Sequence, residues 1–146
     1  MADANWSVRR STSGYCFFYA GAVISYLSKG QTTIALSSTE AEIMAASQAA
    51  LEVVFLAALL AEAGEPAQTP VDVSIDNSGA VALSNSYVSN SRTRHIERRH
   101  LKIRELAERG IVAAKWIATD DNTADIFTKA LGRRKFEKFR RLLLNM

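Results

Sequence analysis

Thiols are almost absent from this 146-residue chain, which has one cysteine, Cys16. One cysteine can supply neither a disulfide framework nor a cysteine-based zinc site. Its place in an apolar run is that of a small buried hydrophobe in a reducing compartment. The two histidines, His95 and His100, stand five residues apart, which is not the i, i+4 spacing of two ligands on one helix face. With no cysteine partners, that spacing argues against zinc. No charge-free apolar run reaches the roughly 18–20 residues that cross a bilayer. The most apolar stretch, residues 45–61, carries Gln48 and Glu52 and reads as a buried core helix, so no membrane partner is expected. The first residues, Met1-Ala2-Asp3-Ala4-Asn5, lack a basic segment followed by an apolar one. No secretory signal is therefore expected, and the chain is expected to act inside the cell. Repeats and low-complexity segments are also missing, and the length fits one domain over residues 1–146.

Basic charge is present, and it is clustered. The net charge is only +3, yet residues 92–109 hold seven basic side chains against three acidic ones, and residues 133–141 hold six against one. Such segments make a surface suited to a polyanion, or simply two solvated helix faces.

Read in order, residues 3–8 alternate weakly, as a short strand does. Residues 15–20 and 22–27 read as a β-hairpin turning near Ala20-Gly21. A long helix starts at Ser37 or Thr39. With Ser37 as cap, Glu40 completes a capping box; with Thr39, Glu42 does. Gly64 and Pro66 stop it. Residues 71–75 alternate as a strand ending at Asp76-Asn77, and a short apolar helix follows over residues 78–85. Residues 93–109 form a basic amphipathic helix. Residues 111–118 form a strand with Val112, Ala114, Trp116 and Ala118 on one face. Residues 123–131 read as a helix, and after Gly132 a last basic helix runs over residues 133–144. Hairpin strands followed by alternating strand and helix imply a mixed sheet with helices on its faces.

Four carboxylates fall at informative places: Asp3 on the first strand, Glu40 or Glu42 at the start of the long helix, Asp76 at the carboxyl end of a strand, and Asp125 early in a late helix. Ligands gather at the carboxyl ends of strands in open α/β sheets. Carboxylate oxygens are what hard cations such as Mg²⁺ require, and two such ions can support in-line phosphodiester cleavage. Each residue alone also has a structural duty available. Asp76 could cap the following helix, Asp125 suits a helix dipole, and Glu40 suits a capping box.

Several runs decide between these readings. Arg10-Ser11-Thr12-Ser13-Gly14-Tyr15, Ile34-Ala35-Leu36-Ser37-Ser38-Thr39-Glu40-Ala41-Glu42, Ile75-Asp76-Asn77, Ser91-Arg92-Thr93-Arg94-His95-Ile96 and Ala124-Asp125-Ile126-Phe127-Thr128-Lys129 occur in this order along almost the whole chain. They resemble the ribonuclease H domain of copia-type (Pseudoviridae) LTR retrotransposon polyproteins. The resemblance implies an α/β RNase H-like fold: a five-stranded mixed sheet, three antiparallel strands then parallel ones, flanked by helices. It implies cleavage of the RNA strand of an RNA/DNA hybrid with two Mg²⁺ ions (Mn²⁺ as a substitute), beside a reverse transcriptase domain in the parent polyprotein. The other reading of the same fold is a non-catalytic module that binds hybrid or scaffolds the polymerase.

Carried over by position, the implied catalytic and metal-binding residues are Asp3, Glu42, Asp76 and Asp125. Glu42 is preferred to Glu40 because Glu42-Ile43-Met44-Ala45-Ala46 has the family's form. Residues two apart on a helix point about 200° apart, so one of the two glutamates faces the metals. Arg9, Arg10, Ser11, Asn77, Ser78, Arg94, His95, Arg98 and Arg99 are the implied substrate contacts, for a duplex read through its backbone and 2′-hydroxyls. Three departures stand out. The chain begins two residues before Asp3, so the first strand is expected to be truncated. The loop of residues 119–123 has no histidine. Ala130 stands where the family has proline.

Overall fold

The computed structural model describes residues 10–85 and 101–146. Its elements run β1 (Thr12–Tyr19), β2 (Ala22–Gly30), α1 (Ser38–Glu62), β3 (Val71–Ile75), α2 (Ser78–Asn85), α3 (Lys102–Glu108), β4 (Val112–Trp116), a 3₁₀ segment (Thr123–Phe127) and α4 (Arg133–Leu143). The strand expected over residues 3–8 and the first part of the helix expected over residues 93–109 lie outside the described residues.

The hairpin forms where alternation and Gly21 place it. β1 and β2 pair antiparallel, with Tyr15 opposite Leu27 and Tyr19 opposite Ala22. Ala20 and Gly21 both have positive φ, 49° and 81°. Two such residues make the kind of tight turn whose twist matches that of the flanking strands. The second ladder is parallel: β3 and β4 pair from Val71 opposite Val112 to Ile75 opposite Trp116, with α2 and α3 in the connection. Among the described residues the sheet is therefore two two-stranded ladders, a mixed α/β arrangement. The expected five-stranded sheet would need a further strand.

α1 joins the ladders. Ser37 caps it, its hydroxyl accepting from the Glu40 N–H at 3.1 Å. Gly64, at φ 85°, ends it. There Gly64 N–H donates to the Ala61 carbonyl and Glu65 N–H to that of Leu60, the paired bonds of a glycine-terminated helix. One face, Ile43, Ala46, Ala49, Ala50 and Val53, is buried against Val73 and Ile75 of β3, Val112 and Ala114 of β4, and Ile103 and Leu106 of α3. Three alanines on that face let the helix backbone approach the sheet closely, and burial at about 25 cal/mol per Å² makes this the main source of stability. By length and composition alone the 25-residue α1 is apolar enough to cross a membrane. Its core-facing side accounts for part of that apolarity, while Leu51, Val54, Phe55 and Leu59 remain exposed on the other side.

Two expectations need correction. The helix over residues 123–131 is only a 3₁₀ segment ending at Phe127. The Phe127 carbonyl accepts from the Ser28 hydroxyl at 2.6 Å and the Phe127 ring stacks on Tyr26, so the hairpin holds the chain where a helix would continue. Trp116 has the parity of the buried Val112 and Ala114, yet at the last position of β4 it is 61% exposed.

Between the ladders lies a cavity of about 360 Å³ lined by residues 14–18 of β1 and 71–75 of β3, with Ala45, Ala46 and Ala49 of α1 on a third side. Cys16 lines it, and burial pushes its thiol up to about 11, so it stays a neutral thiol at physiological pH.

Candidate active site

Three of the four expected carboxylates lie in the described residues, and the structure brings them together from three elements. Glu42 is in the first turns of α1. Asp76 follows β3 at its carboxyl end. Asp125 sits in the 3₁₀ segment, whose first turn is capped by the Asn122 side chain accepting from Ala124 N–H at 3.2 Å. Asp3 lies outside the described residues, as do Arg9, Arg94, His95, Arg98 and Arg99.

The two glutamates have different surroundings. Glu40 turns back, and its carboxylate accepts from Leu36 N–H at 2.7 Å. The reciprocal bond of the capping box thus goes one residue before the cap instead of to Ser37 itself. Glu42 projects the other way, into the field of Asp76 and Asp125. Burial first, then the Asp76 and Asp125 charges, raise its carboxyl above the ordinary value, and Lys129 partly offsets them.

Asp76 does not cap α2. That duty falls to Asn77, whose side-chain oxygen accepts from Ala80 N–H at 2.9 Å. The Asn77 oxygen is thereby committed, which leaves its amide N–H groups as the donors available to a ligand. Asp76 is free of capping and its carboxylate is 3.8 Å from the Lys129 ammonium.

Asp125 is buried, and both its oxygens are engaged. Lys129 donates to Oδ1 at 2.8 Å and Lys135 to Oδ2 at 2.9 Å. Burial works against the charge on Lys129, but Asp125, Asp76 and Glu42 more than offset it and hold its pKa above the usual lysine value. Lys135 is anchored further by the Thr119 carbonyl at 2.7 Å and lies 5.4 Å over the Phe139 ring. Lys138 donates to the Asp120 carbonyl and to the Asp121 carboxylate, each at 2.8 Å. The loop before Asp125 is in this way tied to α4.

A cavity of about 300 Å³ borders Ser11, Thr12, Glu42, Asp125 and Lys129. Ser11 of the expected substrate contacts therefore lies at the site, and Ser78 opens α2 next to Asp76 and Asn77. Arg10 is exposed just before β1. The two lysines were missed by sequence reasoning. Lys129 is at i+4 from Asp125, a readable pairing; Lys135 reaches back across Gly132 and had no local signal.

All-carboxylate donors around an ammonium fit a hard cation. Among the described residues, however, no three His, Cys, Asp or Glu side chains converge closely enough to hold one ion directly.

The fold and site thus define an α/β protein with an acidic centre at the carboxyl end of a parallel strand pair. Comparison with known proteins relates the chain to transposon polyproteins. The chain is 38% identical over 135 residues to the retrovirus-related Pol polyprotein from transposon TNT 1-94 of Nicotiana tabacum, covering 92% of this chain and 10% of that polyprotein. It is 33% identical over 142 residues to the retrovirus-related Pol polyprotein from transposon RE1 of Arabidopsis thaliana, covering 94% of this chain and 10% of the relative. A shorter match, 52% identical over 59 residues, is to the secreted RxLR effector protein 161 of Plasmopara viticola and covers 38% of this chain and 42% of that protein. Homologues of the chain are thus retrovirus-related Pol polyproteins from plant transposons, and the chain spans about a tenth of the length of those polyproteins. No family model matches, and no solved structure matches significantly.

Proposed function

We propose that this chain is a retrotransposon ribonuclease H domain that cleaves the RNA strand of an RNA/DNA hybrid during reverse transcription. The observation that carries the reading is the meeting of Asp76, from a strand end, and Asp125, from a 3₁₀ segment, on the ammonium of Lys129, with Glu42 of the long helix in the field of all three. The similarity to segments of transposon Pol polyproteins supports it.

Glu42, Asp76 and Asp125, with Asp3, would hold two Mg²⁺ ions (or Mn²⁺), which supply charge neutralisation and water activation for phosphodiester hydrolysis when bound. The chain's own residues do the rest. α1 gives Glu42 a rigid mount, the Lys135 contact fixes the Asp125 carboxylate, and Ser11, Ser78 and the Asn77 amide offer donors to phosphate and sugar oxygens. Arg9, Arg10, Arg94, His95, Arg98 and Arg99 supply further contacts along the duplex. The five-stranded sheet belongs to the same proposal: the cavity between β1 and β3 is bordered by residues of both strands, a gap that a further strand would close. The reverse transcriptase domain of a parent polyprotein is the expected neighbour, and the expected setting is intracellular, in the cytoplasm or a virus-like particle.

One observation favours a second reading, a hybrid-binding or scaffolding module without cleavage. Both Asp125 oxygens carry lysines, and no three described carboxylates close on one point. A labelled RNA/DNA hybrid with Mg²⁺, with and without chelator, separates the two. Metal-dependent cutting that Asp76→Asn abolishes, in a variant that stays folded, is the expected result. Equal cutting by the variant would refute the metal site, and binding without cutting by the parent would favour the module.

A further inference from the structure

The two lysines on Asp125 are held in different ways. Lys135 has four partners: Asp125 Oδ2, the Thr119 carbonyl, the Asp120 carboxylate at 3.9 Å, and the face of Phe139, whose own side chain is fully buried. Its side chain is 23% exposed. Lys129 makes one close bond, to Asp125 Oδ1, and a longer ion pair to Asp76. Its side chain is 49% exposed, so it has a path to solvent. Lys129 also faces the interior of the acidic centre, whereas Lys135 approaches Asp125 from the side of α4 and the loop before the 3₁₀ segment.

The Asp76 and Asp125 charges act unfavourably on Glu42, and a nearby positive charge relieves that repulsion. Both Asp125 oxygens carry a lysine, and an entering cation has the same sign as those ammonium groups, so it must push one of them aside or bear its repulsion. The flexible four-carbon stem and single close bond make Lys129 the lysine that can yield.

We propose that Lys129 is a resident counter-cation of the acidic centre, which balances Glu42, Asp76 and Asp125 until a divalent cation displaces its ammonium, while Lys135 stays in place as the positioning residue of Asp125. This inference rests on the metal-site reading above. Lys129 then sets the concentration at which the centre loads: its positive charge competes with the incoming ion. Lys129 lines a cavity together with Ser11 and Thr12, so a displaced ammonium stays within reach of a phosphate bound there.

Thermal denaturation of the full chain in chelator and in rising MnCl₂ tests this without measuring cleavage. Lys129→Met should melt lower than the parent in chelator, and its Mn²⁺-induced rise in Tm should reach half-maximum at a Mn²⁺ concentration at least about threefold lower. Lys129→Gln, which keeps a donor toward Asp125 without the charge, replaces the methionine variant if that does not fold. Lys135→Met should shift the half-maximum upward, because Asp125 loses its fixed orientation. A parent that responds to Mn²⁺ and a Lys129 variant with the same or a higher half-maximum would overturn this inference alone. A parent with no response at any Mn²⁺ concentration would overturn the metal-site reading with it. Equal downward shifts in the Lys129 and Lys135 variants would refute the division of labour between the two lysines.

Discussion

Gly14 is where the hairpin and the Asp125 segment touch, and replacing it should move the site. A Cβ at Gly14 would lie 2.5 Å from Thr128 Cγ2, 3.0 Å from Phe127 Cβ and 3.3 Å from the Ala124 carbonyl oxygen. Rotating Thr128 relieves the first contact but not the other two, which come from the same segment. That segment is pinned to the hairpin by the Ser28–Phe127 hydrogen bond and the Tyr26–Phe127 stack. Relief therefore requires lifting residues 124–128 away from β1, and Asp125 moves with them. Overpacking of this kind costs about 1–3 kcal/mol. Alanine recovers ~0.4–1 kcal/mol by restricting the unfolded chain. A net loss of about 1–2 kcal/mol should lower Tm by roughly 2–8 °C in a domain of this size. Urea unfolding and thermal melts of Gly14→Ala measure the loss, and the hybrid-cleavage assay should show a fall larger than the stability change explains. Thr128→Ser removes the methyl that clashes first; in the double variant part of the loss should return, as a coupling of about 0.5 kcal/mol or more. A Gly14→Ala protein as stable as the parent and equally active would refute this account of how the segment is seated.

Two further perturbations test the electrostatics and the hairpin. Glu42 holds its proton more tightly in the folded chain than in the unfolded one. Its ionisation therefore costs stability, a penalty absent below the unfolded carboxyl value and complete once pH rises past the raised folded value. In chelator, Glu42→Gln should be more stable than the parent at pH 7.5 and the advantage should vanish near pH 4; a variant less stable than the parent at pH 7.5 would refute the assigned environment. Ala20, at φ 49° beside Gly21, carries the left-handed strain that asparagine tolerates. Ala20→Asn should raise stability by about 0.5–1 kcal/mol, read as a higher urea midpoint, and an unchanged or lower midpoint would refute it.

What the sequence revealed was what local chemistry determines. The cap at Ser37, the glycine stop at Gly64, the hairpin turn and the bounds of β3 and α2 follow from side chains within a few residues. Family-like runs single out Glu42, Asp76 and Asp125, and the structure puts Glu42 in the field of the two aspartates; helix geometry accounts for Glu40 and Glu42 pointing apart. Long-range effects were not legible. Ser28 and Tyr26 truncate the late helix from about a hundred residues away, Lys135 reaches Asp125 across a glycine, and β4 ends at Trp116 before the expected apolar face is complete. Asn77 and not Asp76 takes the cap because α2 begins at Ser78, which puts Asn77 at the N-cap and Ala80 three residues on.

The division of the site between ladders has a physical consequence. Asp76 rides on the β3–β4 ladder, whereas Asp125 rides on a segment fastened to the β1–β2 hairpin. Glu42 belongs to α1, which packs on both and borders both cavities. The distance between Asp76 and Asp125 is therefore set by how the two ladders stand about α1, and the Lys129 ion pairs cross that seam. A strand placed between β1 and β3 would fix the separation through main-chain hydrogen bonds on both its edges, a far stiffer link than one lysine. The acidic centre and the cavity between the ladders are in that sense one problem: whatever fills the seam sets the spacing at which the carboxylates can share a cation.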